Sequence, residues 1–451
     1  MKEKNKPKEQ KEHKKNWKEY TATVEDIQNF IVDRIVMRYN IVTRRVEYRI
    51  PEPDVWNTTN SPHSMLNSAQ DWQPINDRVV NSLWAEMSAD KKVRAQDIYR
   101  VIESDFVPEY NPFLYYLKEL PPWDGADYIM EMSVSVSVKT AAGKDNIDEQ
   151  MLFAEYLTKW LVGMVAGWVD DSVVNNVILV LIGEQGSYKT TWFNYLLPPE
   201  LSNYFYTKTN AQRMGRDDLL TLAQYGLVCC EELDTMRPSE LNQLKAAVTM
   251  PSIDERAAYA HFHEHRKHIT SFCGTGNNAQ FLADPTGNRR WLPFEVKSIE
   301  SPREHPFDYT GIYSQAYALY RQGFRFWFSR DEILQLAIHN KQFETPRLEH
   351  ELVQLYFRRP ADREPGEFIS VALALQMVGA GITQKLSSVL LGRAFMELGF
   401  ERRTCRNVRG YIVVRRSAEE MRSLRSVMAQ ESSEPTSAPD ANTDTDDTVI
   451  F

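Results

Sequence analysis

Residues 176–197 read NVILVLIGEQGSYKTTWFNYLL, and this stretch decides the fold. Val177 to Ile182 form an apolar, β-type run that breaks at Gly183 into a short loop containing Gly186. Lys189-Thr190-Thr191 then opens a predicted helix. Strand, glycine-containing loop and helix in that order are the layout of a phosphate-binding loop. Backbone N–H groups cradle the phosphates, the lysine reaches the β and γ oxygens, and the hydroxyl holds Mg²⁺. Gly183, Gly186, Ser187, Tyr188, Lys189, Thr190 and Thr191 are the expected nucleotide-binding residues, with ATP and Mg²⁺ as cofactors and Thr190 on the metal. One position departs from the pattern: Tyr188 stands where the motif has glycine directly before the lysine.

Around this loop, residues 151–300 alternate helical and strand-like segments, as in an α/β sheet with crossover helices. A helix at 152–167 precedes the loop. Further helices are predicted near 215–224 and 238–249, and strands at YGLVCC (225–230), HITSFCGTGN (268–277) and RWLPFEV (290–296). Residues 23–150 read as a mixed, mainly helical module. In it, 24–38 has helical apolar spacing and IVTRRVEYRI (41–50) alternates like an edge or hairpin strand. A helical region follows at 301–360, with helices at 312–322 and 330–357, then a compact unit at 361–430. Residues 1–22 form a basic tail and 431–451 an acidic Ser/Thr/Pro/Asp-rich tail, both expected to be disordered.

The 451 residues, 42% hydrophobic and 25% charged, leave room for two or three domains with sizeable cores. No apolar run approaches the roughly 20 residues of a membrane span, which argues against a membrane protein. Cys229, Cys230, Cys273 and Cys405 show no CxxC pairing, and three of them lie in apolar strand-like runs, which fits reduced thiols in a cytoplasmic protein. The net charge of −9 conceals polarity: residues 1–20 hold eight Lys and four Glu, whereas 431–451 hold six acidic residues and no basic ones. Basic groups also gather at 256–268, 289–290 and 402–416, where they could meet a phosphate backbone.

Hydrolysis needs more than a phosphate loop: a metal partner, a water activator and charge stabilisers. The strand YGLVCC ends in Glu231-Glu232, an acidic pair placed to hold Mg²⁺ (Glu231) and to act as general base (Glu232), with the two roles interchangeable. The next strand ends in GTGNN, where Asn277, or failing it Asn278, could orient the lytic water. DPTGNRR (284–290) turns at Gly287 and presents Arg289 and Arg290, whose guanidinium groups suit a transferring phosphoryl group, often from a neighbouring subunit.

The ordered set GEQGSYKTT, LVCCEELD, ERAAYAH, FCGTGN and DPTGNRRW resembles the virulence-associated protein E family, which groups with superfamily-three helicase-like ATPases of phages, plasmids and mobile elements. DRVVNSLW (77–84), SDFVPEYNPF (104–113) and LPPWDGAD (120–127) extend the similarity upstream, to roughly residues 70–430 in all. The resemblance implies an AAA+-type P-loop core on a parallel sheet, with Lys189 and Thr190 on phosphate and magnesium. It also implies Glu231 and Glu232 as the second acidic motif, Asn277 as polar sensor, Arg289 and Arg290 as finger candidates, and a homo-oligomeric, hexameric ring.

In superfamily-three relatives the interval corresponding to ERAAYAHFHEHRKH (255–268) forms a hairpin in a central channel. Here Arg256, Arg266 and Lys267 would grip one DNA strand while Tyr259 or Phe262 stacks. His261, His263 and His265 alternate as on one strand face, but no matching ligand group elsewhere supports a metal there. Farther on, KLSSVLLGRAFMELGF reads as a helix and RRTCRNVRGYIVVRR as two strands turning near Asn407–Gly410. Helix plus basic hairpin suggests a winged-helix-like unit whose Arg402, Arg403 and Arg406 contact duplex DNA; a structural cap with a basic edge strand is the competing reading. The terminal DTDDTVIF is similar to the acidic tip of bacterial single-stranded-DNA-binding proteins, implying a replication-protein partner. The expected function is an ATP-hydrolysing, DNA helicase-like motor for replication or excision of a mobile genetic element. The alternatives are a DNA-binding regulatory NTPase that does not unwind, and a degenerate nucleotide-binding scaffold.

Overall fold

The computed structural model describes residues 21–51, 72–139, 146–209, 221–255, 264–282, 288–345, 347–380, 382–383, 386–405 and 407–431, in two compact units, Met1–Glu344 and Thr345–Phe451. In the first unit Thr23 opens α1 (Val24–Val32) through a capping box: its hydroxyl accepts from the Asp26 N–H at 3.2 Å while the Asp26 carboxylate accepts from the Thr23 N–H at 2.9 Å. The helix expected to reach residue 38 stops at Val32. Val36–Asn40 instead form β1, drawn into antiparallel pairing with β2 (Arg45–Arg49). Residues 41–44, expected to begin a strand, are the connecting turn: the Asn40 side-chain oxygen accepts from the N–H groups of Val42 and Thr43, and Arg44 takes a φ of 56°. β3 (Gln73–Pro74) and β4 (Glu109–Tyr110) complete a sheet in the order β3-β2-β1-β4. α2 (Asp77–Met87) and α3 (Ala95–Ile102) pack with α1 around Ile27, Ile31, Val80, Leu83, Ile98 and Val101.

Next come α4 (Pro112–Glu119), α5 (Tyr128–Val134), β5 (Val136–Val138), α6 (Asn146–Val169), β6 (Ile178–Ile182), α7 (Lys189–Asn194), β7 (Phe205–Lys208), β8 (Leu227–Cys230), α8 (Pro238–Val248), β9 (Ser252–Glu255), β10 (Glu264–Lys267), β11 (Ser271–Gly276) and β12 (Trp291–Ile299). Six of these strands form a sheet in the order β5-β12-β6-β11-β8-β7. Four neighbouring pairs are parallel and only the edge pair β5–β12 is antiparallel. The apolar run in β6 now has its reason. Leu179 and Leu181 enter one core with Phe153, Trp160 and Leu161 of α6, while Ile178, Val180 and Ile182 enter a second with Leu241, Leu244 and Val248 of α8. A strand covered on both faces needs no polar alternation, and each such side chain stabilises the fold by about 1.5–3 kcal/mol. Phe113, Leu117, Ile129 and Met132 join the α6 side, so residues 112–138, expected with the amino-terminal module, pack on the central sheet. Cys229, Cys230 and Cys273 are buried free thiols, and Cys405 is exposed.

The expected helix 330–357 is broken. α9 (Tyr309–Arg321) and α10 (Arg330–His339) belong to the first unit, and the Asn340 amide, donating to the carbonyls of Asn288 (2.8 Å) and Trp291 (3.0 Å), turns the chain after His339. The second unit starts with α11 (Leu348–Tyr356) and β13 (Phe357–Arg358), then β14 (Glu367–Ser370), α12 (Val371–Val378), α13 (Ser388–Glu397), β15 (Arg402–Cys405), β16 (Val408–Arg415) and α14 (Ala418–Glu431). β16 pairs antiparallel with β13, β14 and β15. Leu352, Val353, Ile369, Ala374, Leu391, Phe395 and Val413 form this unit's own core, with Phe395 stacked on Tyr411 at 4.8 Å. The chain is thus a mixed α/β protein, and no described helix is long and apolar enough to cross a membrane. Residues 1–20, 210–220 and 432–451, which hold most of both expected tails and most of the helix expected near 215–224, lie outside the described residues; of the tails, Thr21 and Ala22 pair with Lys92 and Glu431 ends α14.

Candidate functional site

The parallel strands β6, β8 and β11 end on one edge of the sheet, and the residues that follow them meet there. Gly183 leaves β6 with its N–H on the Gly276 carbonyl (3.1 Å), the last residue of β11. A Cβ at Gly183 would lie 2.7 Å from Val296 Cγ2, so the loop leaves the sheet only where there is no side chain. Gly186 has a φ of 85°, a conformation that glycine adopts without strain. Tyr188 also takes a left-handed conformation (φ 60°), as a non-glycine residue, and its side chain remains 47% exposed. The glycine that the motif places before the lysine therefore answers a backbone requirement, which tyrosine meets under strain. Trp192 anchors the following α7 through its indole N–H on Ser135 Oγ (2.9 Å).

Lys189 is buried, and its ammonium donates to the carbonyls of Gly183 (2.8 Å) and Glu184 (2.6 Å) and to Ser187 Oγ (3.2 Å). Burial lowers its pKa, against the nearby charges of Asp234 and Glu184, which raise it. The Thr190 hydroxyl donates to Glu231 Oε1 at 2.9 Å, joining the loop to the acidic strand. Thr191 follows on α7, half-buried. Glu232, exposed and left-handed at φ 54°, starts the short turn Leu233–Thr235. Asn277 is exposed immediately after β11, and Asn278 donates its N–H to Asp234 Oδ2 at 3.1 Å. Lys189, Thr190, Glu231, Glu232 and Asn277 thus share one sheet edge. The chemistry of the donors suits a hard cation, since Thr190 and Glu231 offer adjacent oxygens. Two residues of this edge were not singled out from the sequence: Asp234, and Lys208, a buried lysine whose carbonyl accepts from the Glu231 N–H (3.1 Å). Asp234 stands in the quoted LVCCEELD, but its partner lies 44 residues away and local spacing does not reveal it.

Arg289 and Arg290 are elsewhere. They precede β12, whose first residue Trp291 pairs with Ile178, the first residue of β6. The arginines therefore stand at the amino edge of the sheet, five residues or roughly 16 Å along the strands from Gly183. Burial and then the Arg289 charge pull the Arg290 pKa below the usual guanidinium range. The β9–β10 hairpin leads into the amino end of β11, so it also lies toward this edge. Its Arg266 is buried, and Lys267 pairs with Asp171 at 3.0 Å. His265 contacts Asp254 at 2.7 Å. Arg256, Tyr259, His261, Phe262, His263 and Gly287 lie outside the described residues.

In the second unit, β15 and β16 form the expected basic strand pair, turning at Asn407 (φ 62°). Arg402 and Arg403 are exposed on β15, with Arg403 Nε 3.9 Å from Glu401, while Arg406 lies outside the described residues. Helix α13, the expected KLSSVLLGRAFMELGF helix, is held to β16 by the Tyr411 hydroxyl on the Gly392 carbonyl (2.7 Å).

Residues 117–345, just over half of the chain, match the family model of the virulence-associated protein E-like domain. No curated protein matches. Among solved structures, the chain is similar to two apo structures of the NrS-1 C-terminal region (residues 305–718). The first has 11% identity and a TM-score of 0.44, covering 86% of this chain and 98% of that one. The second, an A form, has 11% identity and a TM-score of 0.41, covering 84% and 96%.

Proposed function

The chain belongs to the virulence-associated protein E-like family, and from that premise we propose that it is an ATP-hydrolysing, DNA helicase-like motor serving replication or excision of a mobile genetic element. The observation that carries the proposal is the meeting of Lys189, the Thr190–Glu231 pair, Glu232 and Asn277 at the carboxyl edge of one parallel sheet. The same sheet supports an AAA+-type core, with the sensor strand β11 between the phosphate-loop strand and the acidic strand.

In this reading Lys189 exchanges its loop carbonyls for the β and γ phosphate oxygens of ATP. Thr190 and Glu231 hold Mg²⁺, which when bound neutralises phosphate charge. Asn277 orients a water, Glu232 accepts its proton as the oxygen bonds to the γ-phosphorus, and the bond to the β–γ bridging oxygen breaks. Arg289 or Arg290, at the far edge, serves the site of a neighbouring copy, which makes the working form a ring, taken as a hexamer. The winged-helix-like carboxyl-terminal unit contributes DNA contacts through Arg402, Arg403 and Arg406. Of the three residues expected on single-stranded DNA, Arg256 and Lys267 keep that assignment and the buried Arg266 does not; the acidic tail is assigned to a replication-protein partner. The regulatory-NTPase alternative draws on the exposed basic strand β15, and the scaffold alternative on the strained Tyr188 and the self-satisfied Lys189.

The deciding experiment measures Mg²⁺-dependent ATP turnover with and without single-stranded DNA, strand displacement, and native mass. The wild type is expected to turn over ATP, faster with DNA, as a hexamer-sized particle. Lys189→Ala and Glu232→Gln should each lose about 10²-fold or more in kcat. Equal turnover in the wild type and Lys189→Ala would remove the enzyme reading. Turnover without strand displacement would leave the regulatory NTPase.

A further inference from the structure

Asp234 follows the acidic pair, in a turn pressed against the end of the sensor strand. Two glycines of β11 make room for it. A Cβ on Gly274 would lie 2.3 Å from Leu233 Cδ1 and 3.0 Å from the Cys230 carbonyl, and one on Gly276 would lie 3.2 Å from Asp234 Oδ1. The glycines of FCGTGN thus form a slot that seats Leu233 and Asp234. Within the turn, the N–H and hydroxyl of Thr235 both donate to the Glu232 carbonyl at 2.9 Å. Glu232, at φ 54°, is left-handed where the β8 chain enters this turn. A non-glycine residue keeps that conformation only where its surroundings over-determine it.

Asp234 makes the polar tie. Its Oδ2 accepts the Asn278 N–H at 3.1 Å, while its Oδ1 is buried and has no partner among the described residues. Asn278 in turn accepts the Gln280 N–H on its side-chain oxygen (2.9 Å), ordering the loop that carries Asn277. One carboxylate therefore links the segment bearing Glu232 to the segment bearing Asn277. Its charge also supports the buried Lys189 ammonium.

We propose that Asp234 is a positioning residue: it clamps the Glu232 turn onto the sensor strand and thereby sets the general base and the water-orienting amide in mutual register. The proposal rests on the hydrolytic reading of this edge, but the clamp has a readout independent of turnover.

In the full-length chain, amide hydrogen exchange, binding of a fluorescent ATP analogue and ATP turnover are compared for the wild type, Asp234→Ala, Asp234→Asn and Gly276→Ala. Asp234→Ala should speed exchange at Asn278 at least tenfold while leaving the amides of β6 protected. It should lower kcat by ten- to a hundredfold with analogue affinity within about threefold of wild type. Asp234→Asn keeps an oxygen for the Asn278 N–H and should restore protection and most of kcat. Gly276→Ala, which crowds Oδ1, should resemble Asp234→Ala. Unchanged exchange at Asn278 in Asp234→Ala overturns the clamp, as does a loss of binding that fully accounts for the loss of turnover. If the wild type does not hydrolyse ATP but Asp234→Ala still frees the Asn278 amide, the hydrolytic reading fails and the structural clamp stands.

Discussion

Tyr188 and Gly186 both sit at positive φ in the same loop, yet only one of them is a glycine. A left-handed non-glycine residue costs roughly 1–2 kcal/mol, and glycine returns about 0.5–1 of that through the freer unfolded chain. With its ring half in solvent, Tyr188 loses little packing on truncation. Tyr188→Gly should therefore stabilise the protein by about 0.5–1 kcal/mol in denaturant titrations, whereas Gly186→Ala should destabilise it by about 1–2 kcal/mol. A destabilised Tyr188→Gly would mean that the ring packs usefully. At this scale the phosphate loop is legible in the sequence because all its determinants are neighbours. Asp234 is not legible as a partner of Asn278, because that contact exists only once β8 and β11 lie side by side. Burial of Arg266 is equally hidden, since an arginine on an alternating strand reads as solvent-facing until the strand is packed.

Among the elements, α10 shows how one carboxylate can cap a helix and dock it. Glu332 receives the Ser329 N–H (2.6 Å) in a capping box, lies 3.0 Å from the Lys159 ammonium on α6 and 2.7 Å from Arg325. Burial pushes its pKa up, but the Ser329 N–H, the Lys159 ammonium and the Ser329 hydroxyl together hold it at about 2. A carboxylate with a depressed folded pKa adds stability above its unfolded value of 4.5, and this is lost as pH falls toward 2. Glu332→Gln should thus be less stable by about 2–3 kcal/mol at pH 7, with the gap to the wild type closing between roughly pH 4.5 and 2. A gap independent of pH would show that the ion pair is not its source. The element types were readable where the apolar pattern was long or continuous, as in β6 and α6. Boundaries failed where tertiary partners set them. The run after Val32 satisfies helical spacing, but the hairpin with β2 claims it; within 330–357 the Asn340 contacts end the first helix, and Pro346 is a break already written in the sequence.

On the scale of the whole molecule, strand direction separates the proposed machinery into two halves. Lys189, Glu231 and Glu232 follow parallel strands, or begin the helix after one, whereas Arg289 and Arg290 precede such a strand. In a parallel sheet those positions fall on opposite edges, so a single copy cannot bring both to one phosphate. If the arginines act in hydrolysis, they act across a head-to-tail interface between copies, the kind of contact that closes into a ring. This gives a mixing test. Lys189→Ala protein retains its arginines, and protein carrying Arg289→Ala with Arg290→Ala retains its phosphate loop. Each alone should be inactive. In an equimolar, exchanged mixture about a quarter of the interfaces would join an intact loop to intact arginines, so turnover should return to about that fraction of the wild-type value if sites fire independently. Restored activity that tracks subunit exchange, measured by native mass of differently tagged copies, would establish that the site is shared. Full exchange with no recovery would assign the arginine pair to folding of the β12 entry, and the charge stabiliser would have to be sought among cations on the loop's own edge, where Lys208 is already buried beside the acidic strand.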